Sequence, residues 1–111
     1  MAAVKVVATR RYDRQARKLL TAEERARAEV EIATAPEAWP VVSGTGGARK
    51  ARAARGGKGK SGGARVIYYF WVAARLIYLI DIYAKSEKED LSNAEKKEIR
   101  DFLAACAPKK A

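Results

Sequence analysis

The sequence predicts an α+β domain in which two N-terminal helices and one C-terminal helix pack on a small, antiparallel-rich sheet. Three observations carry this reading. Two capping boxes, Thr21-Ala22-Glu23-Glu24 and Ser92 with Glu95, each mark a helix start. Residues 66–84 are rich in Val, Ile, Tyr, Phe and Trp, the residue types that favour strands. Glycine and proline then punctuate the chain between these blocks.

Each element follows from its own residues. Residues 3–8 are short and valine-rich, a first strand. Across residues 10–20, Tyr12, Ala16, Leu19 and Leu20 recur at helical spacing. Thr21 ends that helix and caps the next, which runs to Thr34 and stops before Pro36. Its apolar stripe is expected at Ala26, Val30 and Ala33, thin enough to suit a helix laid on a sheet. Pro36, Pro40 and residues 43–47 (SGTGG) form a connecting loop, in which Trp39 is either a lid on the core or a partner contact.

Residues 48–54 read as a second strand, with Ala48, Lys50, Arg52 and Ala54 on one face and Arg49, Ala51 and Ala53 on the other. Residues 56–63 (GGKGKSGG) are too glycine-rich to hold an extended ladder and read as a mobile loop. Two strands joined near Ala73 and Ala74 follow, and Ile99, Phe102, Leu103 and Cys106 share the packed face of the last helix. The order is β-α-α-β-β-β-α. No repeat or sustained heptad is present, which removes solenoids and coiled coils.

Composition narrows the function. The 111 residues form one domain, 1–111, with a modest core, and the net charge of +10 attracts nucleic acid, an anionic membrane or an acidic protein. Residues 49–65 hold seven Lys and Arg, five Gly and no acid, and no acid occurs between Glu37 and Asp81. A cationic, glycine-rich segment beside strands suits polyphosphate. With one cysteine and no histidine, the usual disulfide, zinc and imidazole chemistries are absent, so no metal or cofactor is expected and a reducing cytoplasm is. The first residues lack a signal-peptide pattern. Residues 66–84 are nineteen mostly apolar residues, yet Arg75 and Asp81 within them argue for strands over a membrane span.

Three ordered blocks add a resemblance: residues 44–50 (GTGGARK), 59–69 (GKSGGARVIYY) and 82–91 (IYAKSEKEDL). Together with the element order, they resemble the HigB branch of the RelE/ParE toxin superfamily over nearly the whole chain. The resemblance implies a RelE-like fold and a ribosome-dependent endonuclease of translated mRNA. It also implies a cognate antitoxin, encoded nearby and of helix-turn-helix type. Cleavage through the ribose 2′-OH needs a base, cations for the phosphorane-like charge, and an acid or cation for the leaving oxygen.

Matching positions give Lys50, Arg52, Arg65 and Lys85 as the catalytic set. Lys50 or Lys85, crowded by cations, would serve as base; Arg65 would stabilise the transition state; Arg52 would act as an electrostatic clamp. Arg49, Arg55, Lys58 and Lys60 are expected to contact RNA or ribosome. Tyr68 and Tyr83 are candidates for stacking or proton donation, although Tyr68, Tyr69, Phe70 and Trp71 lie in a strand where aromatics are more often core than stacking platforms. Two other classes stay open: a ParE-like inhibitor of DNA gyrase, and a nucleic-acid-binding module without chemistry.

Overall fold

The structure is a computed structural model that describes residues 3–57 and 63–106. Strand β1 (Lys5–Ala8) leads into helices α1 (Arg10–Leu19) and α2 (Ala22–Thr34). Strands β2 (Arg49–Ala53), β3 (Ala64–Trp71) and β4 (Leu76–Ala84) follow, then helix α3 (Asn93–Cys106). This is the element order expected from sequence. The sheet runs β1-β4-β3-β2, with β1 parallel to β4 and the other two pairings antiparallel.

Local chemistry places the ends of the helices. Thr9 caps α1, its hydroxyl accepting from the Tyr12 N–H at 3.1 Å and donating to the Ile80 carbonyl at 2.9 Å, which fastens the helix to β4. At α2 both halves of the predicted capping box form, Thr21 Oγ1 with the Glu24 N–H and Glu24 Oε1 with the Thr21 N–H. Ser92 and Glu95 repeat the exchange at α3. The β3–β4 turn lies at the predicted place, with Arg75 in the left-handed region at φ 51°.

The sheet separates two cores. Beneath α1 and α2, Tyr12, Ala16, Leu20, Ala28 and Ile32 pack on Ala51, Ala53, Val66, Tyr68, Leu79 and Ile82. On the opposite face, α3 presents Ile99 and Leu103 to Ala48, Ile67, Ile80, Tyr83 and Leu91. Period-2 alternation therefore sorts β2 as expected: Ala51 and Ala53 face the helical pair, and Lys50 and Arg52 face the other side.

Two packing expectations need correction, for α2 and for Cys106. Helix α2 buries Ala28 and Ile32, while Ala26 is exposed, Val30 is 64% exposed and Ala33 only flanks the core. The larger Ile32 takes the core position, and this roll also brings Arg25 and Glu29 beside Tyr12, whose hydroxyl donates to Glu29 at 3.0 Å. Cys106 is exposed, as are Ala104 and Ala105, so the buried face of α3 ends at Leu103. Trp39 packs against the first core, and its carbonyl accepts from Arg49 Nη1 at 2.6 Å. Residues 66–84 form strands, and among the described residues no helix is long and apolar enough to cross a membrane.

The glycine loop after α2 is held by Thr45, which is fully buried. Its hydroxyl donates to the Val42 carbonyl at 2.7 Å and accepts from the Ala48 N–H at 3.0 Å. Gly47, at φ 116°, sits under Tyr69, where an added Cβ would lie 3.2 Å from the ring. Thr45→Val keeps the shape but strands a buried N–H, and unfolding by urea should show a loss of about 1–3 kcal/mol.

Candidate functional site

The site is built on the α3 side of β2, β3 and β4. Residues opposite each other in an antiparallel pair share a face. Arg52 lies opposite Arg65, and Arg65 lies opposite Tyr83, so these three side chains form a row across the sheet. One step along, Lys50 lies opposite Ile67 and Ile67 opposite Asp81. Beyond Ile67 the register shifts: Tyr68 pairs with Leu79, leaving Ile80 as an extra residue in β4. This bulge lets Ile80 join the α3 core while Asp81 and Tyr83 keep the site face.

Burial differs sharply along the row. Arg52 is exposed, whereas Arg65 is 7% exposed and Tyr83 5%. Arg65 Nη1 donates to the Ala64 carbonyl at 3.2 Å. The Tyr83 hydroxyl is buried without a hydrogen-bond partner among the described residues. Burial pushes its phenol up to about 12, helped by Asp90 and opposed by the positive charge of Arg65. At neutral pH it is a proton donor whose hydrogen bond is unmade.

Acids from elsewhere in the chain meet these cations. Lys50 Nζ lies 3.4 Å from Asp90 Oδ1. Lys88 pairs with Glu95 and stands 4.8 Å from the centre of the Tyr83 ring, a cation–π contact. Partial burial raises Asp90, but the Leu91 N–H and Lys50 prevail and hold it below the usual carboxylate range. Glu95 is likewise raised by burial and held below that range overall by Lys88 and the Ser92 N–H. Asp81, 4% exposed, accepts from the Ile82 N–H at 2.8 Å and pairs with Arg11 Nε at 3.2 Å.

The structure thus brings Lys50, Arg52, Arg65 and Tyr83 onto one face, with exposed Lys85 one residue past β4. The Lys85 N–H donates to the Gly63 carbonyl at 3.0 Å, closing the mouth of the β3–β4 pair. Other predicted contacts fall elsewhere. Tyr68 is fully buried on the opposite face, its hydroxyl donating to the Pro36 carbonyl at 2.7 Å, so it is a core residue and reaches no RNA. Arg49 donates to the carbonyls of Glu37 and Trp39, and Arg55 to that of Leu19 at 2.9 Å, which ties both to the helical layer. Lys58 and Lys60 lie outside the described residues.

Sequence reasoning missed Asp81, Asp90, Lys88 and Glu95 as members of this face. Their contacts are nonlocal, as in Lys50–Asp90, forty residues apart. Chemically, the face offers buried and exposed cations for a phosphate and one neutral phenol as donor. Among the described residues no cluster of His, Cys, Asp and Glu suited to a metal ion occurs.

Residues 4–109 match the family described as RelE toxin of the RelE/RelB toxin-antitoxin system, and the chain belongs to that family. Among solved structures, the fold is similar to that of the E. coli toxin RelE, in a double arginine-to-alanine variant in the free state. The TM-score is 0.57 at 20% identity, covering 79% of this chain and 90% of that one.

Two measurements follow from the electrostatics. The Tyr83 pKa is raised above its unfolded value near 10, so its contribution to stability is full below pH 10 and lost as pH rises toward about 12. Tyr12 and Tyr68 are also raised by burial, so absorbance titration should show several late phenols, one fewer in Tyr83→Phe. Asp90→Asn releases Lys50, and affinity for a short RNA oligonucleotide at low salt should rise about 3- to 10-fold.

Proposed function

We propose that the chain is the toxin of a type II toxin–antitoxin pair, of the HigB branch, and that it cleaves translated mRNA in the ribosomal A site. The observation that carries this reading is the Arg52–Arg65–Tyr83 row, in which a buried guanidinium adjoins a buried phenol with an unmade hydrogen bond. Family membership and the RelE-like fold support it.

In this mechanism the scissile phosphate lies against Arg65. A guanidinium keeps its proton and presents a planar fork to the non-bridging oxygens. Its position is fixed by burial between strands, so it needs little rearrangement as charge develops. Arg52 clamps a neighbouring phosphate from the open side. Lys50 or Lys85 takes the proton from the 2′-OH in its neutral amine form, and for Lys50 this requires Asp90 to move away, since an adjacent anion holds the ammonium protonated. Tyr83 donates its proton toward the leaving 5′-oxygen, a role that fits a neutral phenol. Lys58 and Lys60 contact RNA or ribosome backbone.

A cytoplasmic toxin of this kind is held by a cognate antitoxin, which we place as a helix-turn-helix protein encoded next to it. Charge attraction to a +10 partner favours an acidic antitoxin segment. Co-expression with the neighbouring reading frame should restore growth and yield a co-purifying complex; growth arrest persisting with no second protein would oppose this assignment.

The test of cleavage uses induced expression and primer extension on an abundant message, with and without its start codon. Wild type should cut only the translated form. Arg65→Ala should lower cutting by about 100- to 1000-fold, with Arg65→Lys made alongside because Arg65 is buried. Tyr83→Phe separates chemistry from folding: removing an unpartnered buried hydroxyl should leave stability unchanged or improve it by about 1 kcal/mol, while cleavage falls at least tenfold. Arrest without cuts would redirect the reading to gyrase, and cuts unaffected by Arg65 and Tyr83 would remove this face as the site.

A further inference from the structure

A hollow between α1 and α3 is lined by Ile80, the extra residue of β4, and by Ile99 and Phe102 of α3. Its volume is about 150 Å³. A well-packed interior leaves few voids larger than a water molecule, and an apolar cavity of about this size takes up a benzene ring. None of Lys50, Arg52, Arg65, Tyr83 or Lys85 lines it.

The rest of the lining is acidic, in a chain whose net charge is +10. Asp81, Glu95 and Glu98 contribute carboxylates, and Arg11 is the one cation among the described lining residues. Arg11 is held in its charged form by Asp81 first, then by Glu95 and Glu98, which places all three acids around one guanidinium. They are unequally engaged. Glu95 is shared with Lys88 on the site face. Asp81, 4% exposed, meets the Ile82 N–H and Arg11 through Oδ1, while Oδ2 accepts no hydrogen bond among the described residues. Exposed Glu98 forms no ion pair among them.

We propose that this hollow binds a small primary amine with a phenyl-sized apolar body. The ring replaces water against Ile80, Ile99 and Phe102, and the ammonium donates its N–H groups to Asp81 Oδ2 and to Glu98. Charge selects the ligand. An anion is drawn to the chain as a whole, yet here it faces carboxylates that outnumber the guanidinium. A neutral ring fills the same space but brings no charge to the open carboxylate oxygen. The proposal goes beyond the cleavage reading, since no cleavage residue lines the hollow and binding needs no RNA.

The test titrates the full-length protein with 2-phenylethylamine at neutral pH and low salt, by calorimetry and by NMR. The comparison ligands, 2-phenylethanol and 3-phenylpropionate, carry the same ring with a neutral and an anionic head. The amine should bind with a Kd of about 1 mM or below, about tenfold or more tighter than either comparison ligand. Its ring protons should show NOEs to the methyl groups of Ile80 and Ile99. Glu98→Lys reverses a charge at an exposed position and should weaken the amine about tenfold or more with unchanged thermal stability. Glu89→Lys makes the same charge change at an exposed residue outside the hollow and should bind like wild type. Equal weakening in both variants would reduce the effect to net charge and overturn the proposal. So would phenylpropionate binding as tightly as the amine, or ring contacts away from Ile80 and Ile99. Binding is read without RNA or ribosomes, so its failure and the failure of the cleavage assay are separate results.

Discussion

A single extra residue in β4 governs what each face of the sheet presents. The β3–β4 pairing is the spine of the fold, and the bulge at Ile80 breaks its period-2 alternation. Before it, Ile77 and Leu79 point to the helical pair; after it, Asp81 and Tyr83 point to the α3 side while Ile82 returns to the first core. Without that shift, strict alternation from Leu79 would send Asp81 and Tyr83 into the helical core and Ile82 toward the site. The bulge thus lets one strand fill two apolar cores and still deliver a phenol beside Arg65.

The site face is consequently a balance of charges rather than a uniformly cationic one. Asp90 and Glu95 neutralise Lys50 and Lys88, and Arg11 compensates the buried Asp81. Removing Lys50 or Lys88 leaves unpaired acids on this face, so under the proposed function RNA affinity changes through two effects of the same sign. The partly exposed Lys50–Asp90 pair is weak, on the order of 1 kcal/mol or less, so a competing anion has little to overcome. Arg65 and Tyr83 are held instead by the strands themselves, which separates the fixed part of the site from the exchangeable part.

Much of the fold was legible because its signals are local. Both capping boxes, the hairpin and the two faces of β2 rest on residues within a few positions of one another, and each appears as read. The roll of α2 was not legible, since its many alanines make several stripes nearly equivalent and Ile32 settles the choice only against a sheet. Tyr68 and Tyr83 look alike in sequence. Their opposite fates, core and site, depend on which face of the sheet each occupies, and for Tyr83 that depends on a bulge no propensity announces. The acids that meet Lys50 and Lys88 come from the segment after β4, and only folding brings them there.

In the proposed mechanism Arg65 and Tyr83 meet the scissile phosphate. The most direct measurement is a structure of the full-length protein on ribosomes carrying an mRNA with a 2′-O-methyl ribose at the cleavage position. A phosphate is expected within hydrogen-bond distance of the Arg65 guanidinium and the Tyr83 hydroxyl, with Asp90 moved off Lys50. A message seated on the helical face, or a phosphate held only by the segment around residues 58–62, would contradict it.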